Sequence, residues 1–529
     1  MRTETRQVGR SAFFVGAGIL LTRLTGLIRQ RVFAHYFGLA VEADAFSAAF
    51  RIPNFLQNLF GEGALSASLI PVYASLLARG ERREADRVAG AVGALLALVV
   101  GLIVLAGVVA TPLLIDLIAP GFAGAQRELT IAVVRVLFPG AGLLVLSAWC
   151  LGVLNSHRRF LLSYTAPILW NAAMIATLLI FGGREDLPSL AVILAWGSVV
   201  GSALQFAVQL PTVIAVAPHL RLALDLASEE VRAVIRNFTP VFVSRGVVQI
   251  SAYVDTLLAS LLPTGAVAGL MNAQLLYTLP VSLFGMSVSA AELPELSSIS
   301  GAADDHSAAA VALRGRLAAG LRQIAFFVVP SAMAFLALGD VIAAAIFETG
   351  RFGHADALFV WMILGGSAVG LLPSTLGRLY SSTYYALRDT RTPLRFAGLR
   401  VLIGMAMGYT FAILIPPALN LPAIWGAAGL SLASGLAGWV EMLLLRHTLN
   451  RRIGRTGLPM TYLASLWGSA AAATAAGWAI KLALPAMQPV VEAVAVLGMY
   501  GVVFVAMTLL LSVPEASDAL RRLSSRLKA

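Results

Sequence analysis

Several charged residues lie inside long apolar stretches of this chain, and their types and spacing are the first clue to chemistry. Arg23 and Arg29 sit in the first apolar run, and Asp44, Arg51, Asn58 and Glu62 sit in the second. A charge at the centre of a bilayer costs at least ~2.5–3.5 kcal/mol, so it usually faces a cavity or a partner. Arg23 and Arg29 are six positions apart, about 9 Å of rise and 120° of rotation on a helix. They cannot make one flat patch, but both can edge a wide cavity at different depths. Asp44, Arg51, Asn58 and Glu62 follow at offsets of 7, 14 and 18 residues, within about 40° of one helical stripe. Pro53 and the Gly61–Gly63 pair are expected to interrupt that helix. Broken helices with polar stripes tend to line water-filled cavities. Guanidinium groups bind phosphate bidentately and stay charged in low dielectric, so Arg23, Arg29 and Arg51 suit a polyanion.

A second group lies further along. Arg245, Gln249 and Asp255 share the seventh apolar run, and Arg378 lies in the tenth. Arg245 and Asp255 fit either a functional role or a structural ion pair, and Gln249 reads as an interhelical hydrogen-bonding residue. Arg378 reads as functional, whereas Arg31, Arg135 and Arg400 read as side chains that snorkel to the interface.

The elements that position these residues follow from composition. Of 529 residues, 59% are hydrophobic and 12% charged, and the mean hydropathy is +0.84. A soluble domain carries roughly 25% charged residues. The composition therefore excludes a soluble enzyme, a disordered protein and a secreted disulfide scaffold. A spanning helix needs about 20 apolar residues. Fourteen candidates lie near 11–37, 44–78, 88–118, 129–154, 160–182, 188–216, 238–262, 265–298, 316–346, 354–386, 396–416, 422–445, 460–484 and 488–512. The reading is an all-α polytopic membrane protein with both termini on one side.

Loop charge sets the side. The N-terminal arm, the C-terminal tail and every second loop hold 26 of the 38 basic residues. The alternate loops hold only Arg127, Arg184, Arg351 and Lys481. Positive loops stay cytoplasmic, so both termini are expected inside. The net charge of +11 is dispersed, without the basic-aromatic patches of a nucleic-acid binder. The N-terminal apolar stretch contains Arg23 and Arg29 and no small-residue cleavage site, so it reads as a retained first helix. Segments 223–237 and 514–528 have mixed faces and read as helices lying on the cytoplasmic surface. Cys150 is the single cysteine, which precludes an intramolecular disulfide.

The two halves echo each other. Pro71-Val-Tyr-Ala-Ser-Leu closes the second span and Pro294-Glu-Leu-Ser-Ser-Ile the eighth, 223 residues later. Asn155-Ser-His-Arg-Arg before Pro167 is matched by Leu387-Arg-Asp-Thr-Arg before Pro393, and these prolines are 226 apart. Spans 1–6 and 7–12 thus read as two lobes in parallel repeat, with spans 13–14 appended. The corresponding domains are 1–222, 223–450 (opening on the amphipathic segment) and 451–529. Parallel repeats are a transporter architecture, with the substrate expected between the lobes near the midplane. The sequence has no Gly-x-x-x-x-Gly-Lys-Ser/Thr loop, no metal-ligand spacing of histidines and no Gly-x-Ser-x-Gly elbow. No catalytic residue, metal or cofactor is expected, and the drive would be the membrane potential or an ion gradient.

The stretch Thr22-Arg-Leu-Thr-Gly-Leu-Ile-Arg29, with Ala43-Asp-Ala-Phe46, Phe50-Arg-Ile-Pro-Asn54 and Gly61-Glu-Gly-Ala-Leu-Ser66, closely resembles the start of the MurJ (MviN) family. Those proteins are bacterial lipid II flippases of the multidrug/oligosaccharidyl-lipid/polysaccharide (MOP) exporter superfamily. Ala119-Pro-Gly-Phe, Leu154-Asn-Ser-His-Arg-Arg-Phe160, Ala166-Pro-Ile-Leu-Trp-Asn171, Phe347-Glu-Thr-Gly-Arg-Phe352 and Tyr385-Ala-Leu-Arg-Asp-Thr-Arg-Thr-Pro393 extend the resemblance over essentially the whole chain. It implies fourteen helices, alternating access and lipid II as the partner. It implies export of this peptidoglycan precursor across the cytoplasmic membrane by a monomer surrounded by membrane lipids. It also implies functional positions at Arg23, Arg29, Asp44 and Glu62, with Arg51 and Asn54 in the same block. The chain departs from the family at Gln57 and Leu275, where two hallmark arginines are replaced. Arg245 is a candidate for supplying the lost charge. The alternative reading is a divergent exporter of another polyprenyl-diphosphate-linked glycan or lipid.

Overall fold

The computed structural model describes residues 2–302, 306–485, 487–518 and 521. Every regular element among them is helical, and the chain divides into two compact units. The first comprises residues 1–268 with 349–351, and the second residues 269–348 with 352–529.

The first unit contains α1 (Arg2–Phe37), α2 (Val41–Phe60), α3 (Glu62–Ala78), α4 (Arg82–Ile118), α5 (Gly124–Ser156), α6 (Phe160–Phe181), α7 (Leu187–Val216) and α8 (Glu229–Ser260). Helix α5 packs against α2, α4 and α7, and α6 packs against α1 and α7. Between α5 and α7 the grip is polar: the amides of Gln205 and Gln209 each donate to Ser147 Oγ at 3.0 Å. Such hydrogen bonds replace the hydrophobic driving force that is missing between helices in lipid. The outer side of α4 is the opposite case. Leu98, Leu102, Leu105, Val109, Leu113 and Leu117 recur at helical spacing and are exposed, as a lipid-facing stripe must be.

The second unit begins within α9 (Ala266–Pro280) and continues through α10 (Ser287–Ala302), α11 (His306–Ala337), α12 (Gly339–Phe347), α13 (His354–Ala368), α14 (Leu371–Ala386), α15 (Arg391–Tyr409), α16 (Ile415–Ala418), α17 (Trp425–Ile453), α18 (Met460–Ala483) and α19 (Pro489–Leu510). Helix α17 packs against α13, α14 and α15, and α18 packs against α11 and α19. Close approach depends on small residues: a Cβ on Gly370 would lie 2.5 Å from the Cα of Gly435.

Eleven helices are long and apolar enough to cross a membrane, or twelve if the bent pair α13–α14 is one span. The expected fourteen is not reached by this measure, because parts of α1 and α8 lie outside the residues described in full. The second span is broken where glycine predicted it. α2 runs past Pro53 and stops at Gly61, so glycine and not proline makes the break. A Cβ there would sit 2.0 Å from the Gln57 carbonyl oxygen.

Three other features differ from expectation. The ninth span divides at Leu338 into α11 and α12, and the tenth bends by 42° between α13 and α14. The surface helix expected from 223 begins at Glu229 instead. Asp225 accepts hydrogen bonds from the Ala227 and Ser228 amides, and the Ser228 hydroxyl caps Val231, so the turn delays the helix. Of the 514–528 segment, residues 514–518 and 521 are described and helical.

The echo between halves is visible as geometry. Arg158 and Arg388 both have φ of 59°. Each is followed by an amide that reaches back five residues, Arg159 to Leu154 and Asp389 to Tyr384, both at 2.9 Å. The same left-handed C-terminal turn therefore ends α5 and α14.

Candidate functional site

Helix α1 carries Arg23 and Arg29, α2 carries Asp44, Arg51 and Asn54, and α6 faces α1. The α1–α6 contact is fixed by Thr22 Oγ1 donating to the Tyr164 carbonyl at 2.9 Å and by Asn171 Nδ2 donating to Thr25 Oγ1 at 3.2 Å. Close packing there is enforced at Gly18, where a Cβ would meet Tyr164 Cβ at 2.8 Å.

These contacts place Arg29 against aromatic faces. Its guanidinium carbon lies 4.9 Å from the Trp170 centroid and 5.4 Å from that of Phe50. The two rings are themselves stacked at 5.6 Å with a 19° interplanar angle. Arg29 also donates to Met174 Sδ at 4.0 Å, and no carboxylate lies within ion-pair distance among the described residues. Each cation–π contact contributes about 0.5–2 kcal/mol, against a cost of ~2.5–3.5 kcal/mol or more for a charge held in a span. The rings orient and partly stabilise the cation but leave its charge uncompensated. An anion would complete it.

Arg23 is exposed on α1 and forms no ion pair among the described residues. Arg51 is held on α2, where its carbonyl accepts the Tyr253 hydroxyl at 2.9 Å and its guanidinium interacts with the Asp255 carboxylate. Asp255 thus meets Arg51. Asn54 lies half-buried one turn beyond Arg51. Asp44 is 2% exposed, and both its oxygens are committed: Oδ2 accepts the Gly265 amide at 2.7 Å and Oδ1 the Ala268 amide at 2.8 Å. A carboxylate at a helix N-terminus meets unsatisfied amides and the positive end of the dipole. The side chains of Glu62, Arg245 and Gln249 lie outside the described residues.

Arg378 projects exposed from α14, one turn from Ser374, whose hydroxyl shares a 2.7 Å hydrogen bond with Tyr277. Arg400 pairs with Glu441 at 3.1 Å. Lys481, read as a loop residue, lies in the last turn of α18 and pairs with Asp340. Asp340 was not singled out from sequence, although it is a lone carboxylate inside an apolar run. Trp170 and Phe50 were legible only as motif members, because which ring faces an arginine depends on how helices pack.

The family described as lipid II flippase MurJ matches this chain over residues 33–511. The chain belongs to the MurJ family. A lipid II flippase MurJ from Burkholderia cenocepacia is 30% identical over 449 residues, covering 84% of each chain. Among solved structures, a MurJ in an inward closed conformation aligns with a TM-score of 0.74 at 23% identity, over 94% of this chain and 99% of that one. An inward-facing MATE transporter of the MOP superfamily aligns with a TM-score of 0.66 at 18% identity, over 81% of this chain and 95% of that one. Both likenesses are of the fold. Within this MurJ-family chain, Gln57 and Leu275 are both half-buried, on α2 and α9.

Proposed function

We propose that this chain is a lipid II flippase, moving the undecaprenyl-diphosphate-linked precursor from the inner to the outer leaflet of the bacterial cytoplasmic membrane by alternating access. Arg29 carries the reading: a guanidinium oriented by Phe50 and Trp170, with no carboxylate partner among the described residues, is built to receive an anion. Arg23 and Arg51 add charge on α1 and α2, and Asp44 positions the first turn of α9. Arg245, Gln249 and Arg378 complete the proposed set. The chemistry is non-covalent: the diphosphate is bound, water is expelled and the headgroup is released outside, with no bond made or broken. The excess of basic residues in every second loop supports cytoplasmic termini. The membrane potential or an ion gradient drives the cycle of a monomer.

Reconstituted protein should translocate lipid II in proteoliposomes, and Arg29→Ala should abolish this at normal protein level. Unimpaired translocation by Arg29→Ala would overturn the reading. Replacement of two family arginines by Gln57 and Leu275 supports a second reading, export of another polyprenyl-diphosphate-linked glycan. Parallel assays with such lipids separate the two.

A further inference from the structure

The break in the ninth span is organised by residues distant in sequence. The last carbonyls of a helix lack internal partners. Here the Leu336 carbonyl accepts the Trp361 indole N–H at 3.0 Å, and the Ala337 carbonyl accepts that of Trp478 at 3.0 Å. The chain then restarts as α12, with Asp340 in its first turn. Asp340 is 5% exposed. Its Oδ2 pairs with the Lys481 ammonium, which also lies 4.7 Å from the Trp478 ring centroid. Its Oδ1 is buried and has no hydrogen-bond partner.

That carboxylate lines a cavity of about 230 Å³. Glu348, His354, Lys481 and Glu492 supply the other polar groups of its wall. His354 and Glu348 interact at 3.2 Å, while the side chain of Glu492, in the first turn of α19, makes no hydrogen bond or ion pair among the described residues. With histidine uncharged, the wall carries three negative charges and one positive. A cation is the complementary ligand. No metal-binding cluster of His, Cys, Asp or Glu occurs among the described residues, so the carboxylates do not converge on one point as a bare ion would require. An organic cation with several N–H donors can instead reach separate acceptors.

We propose that this cavity binds a primary ammonium group, with the Asp340 and Glu492 carboxylates accepting its N–H donors. The ammonium is the head of an aminophospholipid or a free amine. This site is independent of the headgroup reading above, since it involves none of the same residues.

The test uses the full chain in detergent and in nanodiscs. Ethanolamine should raise the thermal midpoint saturably, whereas sodium and choline, which offer no N–H donors, should not at equal ionic strength. Glu492→Gln removes one charge-assisted acceptor without orphaning a partner and should weaken the ethanolamine response roughly tenfold. Asp340→Asn should weaken it too, and Glu492→Gln keeps the test valid if that variant folds poorly. Native mass spectrometry from mixed nanodiscs identifies the source. Retention of phosphatidylethanolamine over phosphatidylglycerol, lost in Glu492→Gln, assigns the lipid; an ethanolamine response without lipid retention assigns a free amine. Equal shifts with choline or sodium, an unchanged response in Glu492→Gln, or no response to ethanolamine together with no selective lipid retention would overturn the proposal.

Discussion

The guanidinium of Arg29 lies 4.9 Å from the ring centroid of Trp170, and Phe50 stacks on that same indole. A cation is thereby held in a fixed orientation by groups that cannot neutralise it. Under the proposed reading an anion binds there transiently, because a carboxylate partner would compete with it for the same charge. Trp170→Ala should therefore leave the protein folded but reduce lipid II translocation severalfold, mainly through weaker substrate binding. Trp170→Phe should retain most activity, since a ring remains. Initial translocation rates at varied lipid II density check this, and equal loss in both variants would point to packing instead.

Asp44 should behave differently from Arg29. Its two oxygens satisfy the Gly265 and Ala268 amides in a site that is 2% exposed. Asp44→Asn turns one acceptor into a donor facing an amide and should cost about 1–3 kcal/mol. A lowered thermal midpoint in detergent, with activity lost in proportion to folded protein, is the expected result.

Gly61 permits the break between α2 and α3. A Cβ would stand 2.0 Å from the Gln57 carbonyl oxygen, which is backbone and cannot yield cheaply. Gly61→Ala should straighten or misplace α3 and reduce both folded yield and translocation, while Gly101→Ala, in the helical backbone of α4 with no neighbour within 4 Å, should keep its packing. The comparison of yields by size-exclusion chromatography tests it.

Arg158 and Arg388 hold φ of 59° at equivalent turns. A non-glycine residue there is strained by roughly 1 kcal/mol. Arg158→Gly and Arg388→Gly should each leave stability unchanged or raise it by less than about 1 kcal/mol, part of the relief being offset by unfolded-state entropy. A clear fall in the thermal midpoint would mean that the arginine side chains contribute contacts that outweigh the strain.

Asp389 follows the second of these turns and gives a pH dependence. The Thr392 amide and hydroxyl, with Arg452 at 2.8 Å, hold its carboxyl down at about 2. A depressed carboxylate stabilises the fold above its unfolded value, near 3.8, and that contribution fades as pH falls through about 2. Wild type should thus exceed Asp389→Asn in thermal midpoint at neutral pH, and the difference should shrink steadily below pH about 4. A difference independent of pH down to that range would exclude the ion-paired carboxylate as its cause.

Much of this was legible in the sequence because it depends on local composition and period. Hydropathy marks the helices long and apolar enough to cross a membrane, and Gly61 marks a break. An arginine in an apolar run marks a candidate site, since bilayer cost makes it rare. Pairings across the chain were not legible. Asp44 finds its amides 221 and 224 residues away, and Asp340 finds Lys481 at a separation of 141. Helical periodicity gives the direction of a side chain, but which helix stands opposite is settled by packing of all of them together. The break at Leu338 shows the limit: two indoles from α13 and α18 satisfy its carbonyls, and only the assembled unit brings them there. The sequence alone determined a charge-poor, helical membrane transporter with arginines in its first spans. Among the described residues, the tertiary structure decided which charges meet a partner and hold helices in place and which, such as Arg29, have no carboxylate at ion-pair distance.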